Sequence, residues 1–132
     1  MTDLTTAIGR LLSDASLRDE FRNDPVSVAE KIDLQPDHVA MFVGLDIDQI
    51  ESQATTLLSK RWNEVRQLIP GTVSDLGDEA RDLFMFYANQ HWPEGHRRHP
   101  LDAYQFLQFL ISNKLHRPSG MELKKVRQMK SV

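Results

Sequence analysis

Apolar residues recur with a helical period between residues 47 and 69, with steps of three or four positions. Polar residues occupy the opposite face, as in an amphipathic helix with one side buried. Such a helix would be roughly 34 Å long at 1.5 Å per residue, and Pro70-Gly71 follows it. The apolar positions are Ile47, Ile50, Ala54, Leu57, Leu58, Trp62, Val65, Leu68 and Ile69.

Shorter amphipathic segments precede the long helix. Asp3 predicts the start of a first helix, because its side chain can cap the free N–H groups of the first turn. Asp24-Pro25 predicts another start, since a capping acid precedes a proline at the first helical position. These signals predict several short helices that pack against the long one.

Further helices are predicted after residue 70. Residues 72–77 predict a single helical turn that ends at Gly77. Asp78 predicts the start of a helix that runs to about His91, and Pro100 begins one that is apolar nearly all round. No stretch of four residues alternates as a half-buried strand requires. The sequence therefore predicts an all-α protein, a single compact multi-helix bundle around a long central helix at about 47–69.

Aromatic and basic residues within these helices have simple expected locations. Trp62 lies on the apolar stripe and is expected in the core, as are Phe84, Phe86 and Tyr87. By contrast, a basic strip beside the long helix is expected to be a solvated face. The strip consists of Lys60, Arg61 and Arg66.

Charge is distributed unevenly along the 132 residues, although the net charge is only −3. Residues 1–60 hold 5 Lys/Arg and 11 Asp/Glu, whereas residues 61–132 hold 11 and 8. We therefore predict a helical bundle domain at 1–116 and a basic C-terminal tail at 117–132, with a helix possible at 122–130. A basic tail is either a polar partner surface or simply solvated. The candidate contact residues in it are Lys124, Lys125 and Arg127.

Composition narrows the class of protein. The chain is 40% hydrophobic and 27% charged, which is ordinary for a globular domain. It has no cysteine, which excludes disulfides and thiolate chemistry. No apolar run reaches the length of a membrane span, and the N-terminus lacks the pattern of a signal peptide. A cytoplasmic location without membrane contact is the expectation.

The densest group of polar and aromatic residues lies between the two predicted helices at 78–91 and from 100. Its histidines and Glu94 raise the possibility of a metal site, but their spacing is not that of a helical zinc site. Tryptophan and arginine are also typical of interface hot spots, so we favour contact with a partner over metal binding. The candidate partner-binding residues here are His91, Trp92, His96, Arg97, Arg98 and His99.

Catalytic motifs are missing from the sequence. It has no glycine-rich phosphate loop, no HExxH pair, and no Ser/His/Asp arrangement in a recognisable context. We therefore predict that the chain is not an enzyme on its own and carries no cofactor and no metal.

The order of motifs in residues 52–110 resembles a known bacterial helical family. The motifs are Leu57-Leu58 with Arg61, Val65 to Pro70, Leu76-Gly77, Leu83-Phe84 with Tyr87-Ala88, His91-Trp92-Pro93, and Phe106 to Leu110. That family carries a DNA-binding label, and its members act as partner proteins of multinuclear non-heme iron oxidative enzymes. Those enzymes modify ribosomally made peptides, as in the biosynthesis of methanobactin-type copper chelators. The resemblance implies an accessory protein that helps recognise a precursor peptide.

The N-terminal half resembles other small helical modules. The pattern is Leu17-Arg18, Phe21 and Asp24-Pro25. It is similar to leader regions of Nif11-type peptide precursors and to the small subunit of protocatechuate-type ring-opening dioxygenases. These resemblances also imply an accessory part rather than a catalytic one.

Three functions remain open from the sequence. The first is a non-catalytic recognition subunit that docks on a metal-dependent peptide-modifying enzyme and helps present its peptide substrate. The second is a helix-turn-helix-like DNA-binding protein, against which the negative net charge weighs. The third is a metal protein that uses the histidine cluster.

Overall fold

The computed structural model describes residues 1–92 and 98–131, and this part of the chain is almost entirely helical. Among these residues, an isolated β-bridge joins Thr2 to Leu34, and no β-strand occurs. The prediction of an all-α protein is confirmed. The helices are α1 (Leu4–Ser13), α2 (Ala15–Asn23), α3 (Pro25–Lys31), α4 (Val39–Val43), α5 (Ile47–Leu68), α6 (Pro70–Leu76), α7 (Glu79–Ala88), α8 (Arg98–Ser112) and α9 (Gly120–Ser131).

The chain divides into two compact units, Met1–Leu57 and Leu58–Val132. The predicted long helix is confirmed as α5, whose first half belongs to one unit and whose second half belongs to the other. None of the helices in the described residues is long and apolar enough to cross a membrane.

The N-terminal unit packs α1 to α4 and the first half of α5 around one apolar cluster. Phe21 and Phe42 form its aromatic centre, with ring centroids 5.1 Å apart at 90°. Arg18 is almost fully buried beside this cluster and donates hydrogen bonds to the carbonyl oxygens of Leu11 and Leu12 at the end of α1. Its Nε donates to Glu51 at 3.0 Å, so this buried charge is paired.

Aspartates start the first three helices, as the cap signals predict for two of them. The Asp3 carboxylate accepts the Thr6 N–H at 2.7 Å, and this bond holds the pKa of Asp3 below its ordinary value. The Asp24 carboxylate accepts the Ser27 N–H, and Pro25 occupies the first helical position of α3. The predicted caps Asp3 and Asp24 are therefore both confirmed. Asp14 caps α2 in the same way.

Replacing Asp24 with alanine is expected to lower the free energy of unfolding by about 1 kcal/mol, because α3 loses its capping acceptor. Urea denaturation followed by circular dichroism measures the change. Asp19→Ala is the matched control, since Asp19 is an exposed acid on the neighbouring helix α2. Equal effects of the two substitutions would contradict a specific role for the cap.

The C-terminal unit has a core of aromatic residues from α5, α7 and α8. Phe84 lies at its centre, with ring centroids 5.3 Å from Trp62 and 5.2 Å from Phe106. The predicted core location is therefore confirmed for Trp62, Phe84 and Tyr87. It is wrong for Phe86, which is 59% exposed. The reason is geometric, because residues 84 and 86 lie about 200° apart around a helix and cannot face the same core.

The segment after α5 is more helical than predicted. Pro70 ends the long helix and also begins α6. In the first turn of α6 its missing N–H costs nothing, because that group would have no partner within the helix. The predicted end at Gly77 is confirmed. Gly77 has φ +61°, a left-handed conformation that glycine adopts without the penalty that a Cβ would add.

Helix α9 carries the predicted basic tail and lies against α8. Val126 is fully buried, and Lys130 Nζ lies 4.9 Å from the ring centroid of Tyr104 on α8. At its other end, the Glu122 carboxylate accepts the N–H groups of Gly71 at 2.7 Å and Thr72 at 3.0 Å. The sequence predicts a bundle domain at 1–116 and a separate tail at 117–132. Whether the bundle folds without the tail is not decided by these contacts, so this division stays a prediction.

Candidate functional site

Arg61 is the centre of a buried polar network in the C-terminal unit. It is only 7% exposed on α5, and Asp102 on α8 is 1% exposed. Arg61 donates from Nε to Oδ2 of Asp102 and from Nη2 to Oδ1, both at 2.9 Å. This two-bond geometry is the strong form of an arginine–carboxylate pair.

The solvated face predicted for Lys60, Arg61 and Arg66 is therefore wrong for Arg61. Lys60 and Arg66 are exposed as expected. Arg61 instead adjoins the buried Trp62 in the sequence and points its guanidinium toward the end of α7. A buried charge of this kind is tolerated because a carboxylate and several hydrogen bonds replace its water.

The remaining donors of the guanidinium hold the end of α7. Arg61 Nη1 donates to the carbonyl oxygen of Ala88 at 3.2 Å, and Nη2 donates to that of His91 at 2.9 Å. The last carbonyl groups of a helix have no partner within the helix. Arg61 binds one such carbonyl, that of Ala88, and also the carbonyl of His91 beyond the helix, so it holds the backbone at and just after the end of α7.

Tyr87 completes the network from the last turn of α7. Its hydroxyl donates to Oδ1 of Asp102 at 3.0 Å. Burial, and then the nearby Asp102 carboxylate, raise the pKa of Tyr87 well above its ordinary value. The hydroxyl therefore remains a hydrogen-bond donor at any physiological pH.

The raised pKa of Tyr87 predicts that this residue stays protonated in the folded protein up to about pH 10, near which an ordinary tyrosine is half ionised. A group whose pKa is higher in the folded state stabilises the fold below its unfolded pKa, near 10 for tyrosine, and loses that contribution as the pH rises further. Absorbance of the phenolate in the folded state should be the same for wild type and Tyr87→Phe in this range. An additional phenolate in the wild type near pH 10 would contradict the geometry.

Two aromatic side chains at the surface rest on this network. The His91 ring stacks on the Tyr87 ring with centroids 4.8 Å apart and an angle of 9°, and its Nδ1 lies 2.9 Å from the Tyr87 carbonyl oxygen. The Arg61 guanidinium lies 4.9 Å from the Trp92 ring centroid and 5.6 Å from that of Phe84, both within cation–π distance. Trp92 is nevertheless 39% exposed. A large aromatic surface is thus held in place while it faces solvent.

The other predicted site residues are distributed as follows. Arg98 is exposed at the first residue of α8, and His99 beside it is half-buried. Lys124, Lys125 and Arg127 are exposed on α9. His96 and Arg97 lie outside the described residues. No described contact joins the basic residues of α9 to Trp92.

The metal hypothesis finds no support in the described part of the chain. Within residues 1–92 and 98–131, no group of three or more histidine or carboxylate side chains is arranged to hold a metal ion. A metal site that included Glu94 and His96 would lie partly outside the described residues, so a site of that kind stays a hypothesis.

The sequence pattern did not assign a role in the site to the three residues that build its buried network. These are Arg61, Tyr87 and Asp102, which come from three different helices. One signal was present: Asp102 is a single acid in a helix that is otherwise apolar nearly all round. Because an ionised carboxylate is costly to bury alone, its position indicates a buried cationic partner.

A family model described as "SCO6045-like, C-terminal domain" matches residues 43–111 of the chain. The matched range includes all three residues of the buried network. No curated protein and no solved structure matches the chain.

Proposed function

We propose that this chain, which belongs to the SCO6045-like C-terminal domain family, is a non-catalytic recognition subunit. Its partner would be a metal-dependent peptide-modifying enzyme, and the chain would help present the peptide substrate of that enzyme. Contact would be made through the exposed residues His91, Trp92 and Arg98, which we call the Trp92 surface. The basic residues of α9 would add a second contact.

The observation that carries the proposal is the way Trp92 is held. Its ring lies on a guanidinium that is itself fixed by four hydrogen bonds. The exposed ring therefore loses little conformational freedom when a partner covers it. Preorganised tryptophan and arginine side chains are typical of interface hot spots.

The buried network supports a structural role rather than catalysis. Asp102 accepts hydrogen bonds from Arg61 and Tyr87, and the pKa of Tyr87 is raised rather than brought near neutrality. A general acid or base needs a proton that can be exchanged near the operating pH and a position within reach of a substrate. These groups are buried and already occupied with one another.

The class of the partner rests on the sequence resemblance described above. The order of motifs in residues 52–110 resembles partner proteins of iron-dependent oxidative enzymes that modify ribosomally made peptides. The second candidate, a DNA-binding protein, draws on the exposed basic residues of α9. We favour the recognition subunit because the net charge of −3 disfavours binding to a polyanion.

Affinity capture from the organism that encodes the chain, followed by mass spectrometry, tests the proposal. The wild-type protein is expected to recover an iron-dependent oxidative enzyme or a small precursor peptide. Trp92→Ala should lose this partner, as should Arg98→Glu, which reverses an exposed charge outside the buried network. Met41→Ala is the control, since Met41 is a 65% exposed apolar side chain of the N-terminal unit.

Recovery of nucleic acid alone, or of nothing, would overturn the proposal. Retention of the partner by both variants of the Trp92 surface would also overturn it. Thermal melts monitored by circular dichroism establish that each variant is folded before capture.

A further inference from the structure

The outward face of α9 is a cationic surface with a defined geometry. At about 100° per residue, Lys124, Lys125 and Arg127 fall within a sector of roughly 160°. All three are exposed, whereas Val126 on the opposite side is fully buried. The three charges therefore point away from the core of the C-terminal unit.

This face is held in one orientation by contacts at both ends of α9. Glu122 binds the backbone N–H groups of Gly71 and Thr72, and Lys130 lies on the ring of Tyr104. Glu122 is also the single acidic residue of α9. Because its carboxylate is engaged with α6, it is drawn away from the neighbouring lysines.

The three cations lack the ion pairs that two exposed basic residues of the N-terminal unit form. In the N-terminal unit, Arg22 pairs with Asp48 at 3.0 Å, and Lys31 pairs with Glu20 at 2.9 Å. Among the described residues, no carboxylate lies within ion-pair distance of the three cations of α9. Lys124 and Arg127 are three residues apart, a spacing at which like charges destabilise a helix. An anionic partner would remove this repulsion.

An apolar side chain lies within the same sector. Met121 is 86% exposed and, by helical geometry, projects between the directions of Lys124 and Lys125. Methionine adapts its shape to different apolar partners. The surface thus combines positive charge with one flexible apolar contact.

We propose that this face of α9 binds an acidic protein segment that carries an apolar side chain. The inference names the chemistry of the second contact in the proposed function, and it rests on that function. Three cations suit a short acidic segment better than a nucleic acid, because affinity for DNA depends on the number of phosphates that lysine and arginine neutralise, and three are few. The negative net charge of the chain favours the same choice.

Fluorescence anisotropy with a labelled synthetic peptide of alternating glutamate, alanine and leucine tests the inference. The purified full chain should bind the peptide, and binding should weaken as added salt screens the charges. The triple variant Lys124→Gln, Lys125→Gln and Arg127→Gln should bind about tenfold or more weakly, because three charge pairs are lost. Glutamine keeps the helix propensity of the segment high.

The matched control removes the same charge from elsewhere in the C-terminal unit. It combines Lys60→Gln, Arg66→Gln and Arg81→Gln, all at exposed positions. We expect its affinity to stay within about twofold of the wild type, since surface charges away from a contact contribute little. An equal loss in the control, no binding of the peptide at low salt, or tighter binding of duplex DNA would each overturn the inference.

Trp92→Ala separates this inference from the proposed function. The variant should bind the acidic peptide as the wild type does, because the Trp92 surface is not part of α9. If capture of an enzyme partner fails while the peptide still binds specifically to α9, the proposed function falls and the acidic-segment site stands. If capture succeeds and the peptide does not bind, only the inference about α9 falls.

Discussion

Replacing Arg61 with alanine is expected to lower the free energy of unfolding by about 3–5 kcal/mol. Asp102, which is 1% exposed, would then be a buried carboxylate without its guanidinium partner. The carbonyl groups of Ala88 and His91 would each lose the hydrogen bond from Arg61 as well. Urea denaturation monitored by circular dichroism and by tryptophan fluorescence measures the loss.

Two controls make this result specific. Arg66→Ala removes an exposed arginine from the same helix and should change stability by less than about 0.5 kcal/mol. The double variant Arg61→Met with Asp102→Leu should recover much of the loss, because a buried ion pair replaced by apolar residues is often nearly neutral. A fall of less than about 1 kcal/mol for Arg61→Ala would contradict the buried network.

Replacing Phe84 with alanine is expected to cost about 3–5 kcal/mol through the cavity that it leaves. Phe84 is fully buried, and its ring contacts those of Trp62, Tyr87 and Phe106. It also lies within cation–π distance of Arg61, so its loss should loosen the support of Trp92. The measurement is again the free energy of unfolding in urea.

Phe86→Ala is the matched control, since it makes the same substitution two residues further along α7. Phe86 is 59% exposed, and its ring lies 6.1 Å from that of Phe109. We expect a loss of less than about 1 kcal/mol, because little apolar surface is withdrawn from the core. If the two phenylalanines cost the same, the assigned faces of α7 are wrong.

Local patterns predicted much of the helical structure. The periodicity of residues 47–69 identified α5 nearly to its ends, and Asp24-Pro25 located the start of α3. Both signals act over a few residues, within one turn or one helix. Such information is present in a single sequence and does not depend on the tertiary structure.

Pairing between distant helices could not be predicted in the same way. Arg61 and Asp102 are 41 residues apart in the sequence. Nothing in the sequence around either residue identifies the other as its partner. The sequence also does not indicate that the two halves of α5 belong to different units, because its apolar stripe is continuous. Of the candidate site, the sequence proposes the exposed residues His91 and Trp92 as partner-binding, but it does not point to the buried residues that hold them.

The affinity of the chain for the partner recovered by capture tests the central claim most directly. Titration calorimetry with purified wild type and Trp92→Ala compares the two dissociation constants. The account predicts that Trp92→Ala binds about 30-fold or more weakly, since a hot-spot residue contributes about 2 kcal/mol or more. Binding within about twofold of the wild type by a folded Trp92→Ala protein would contradict the claim that this surface recognises the partner.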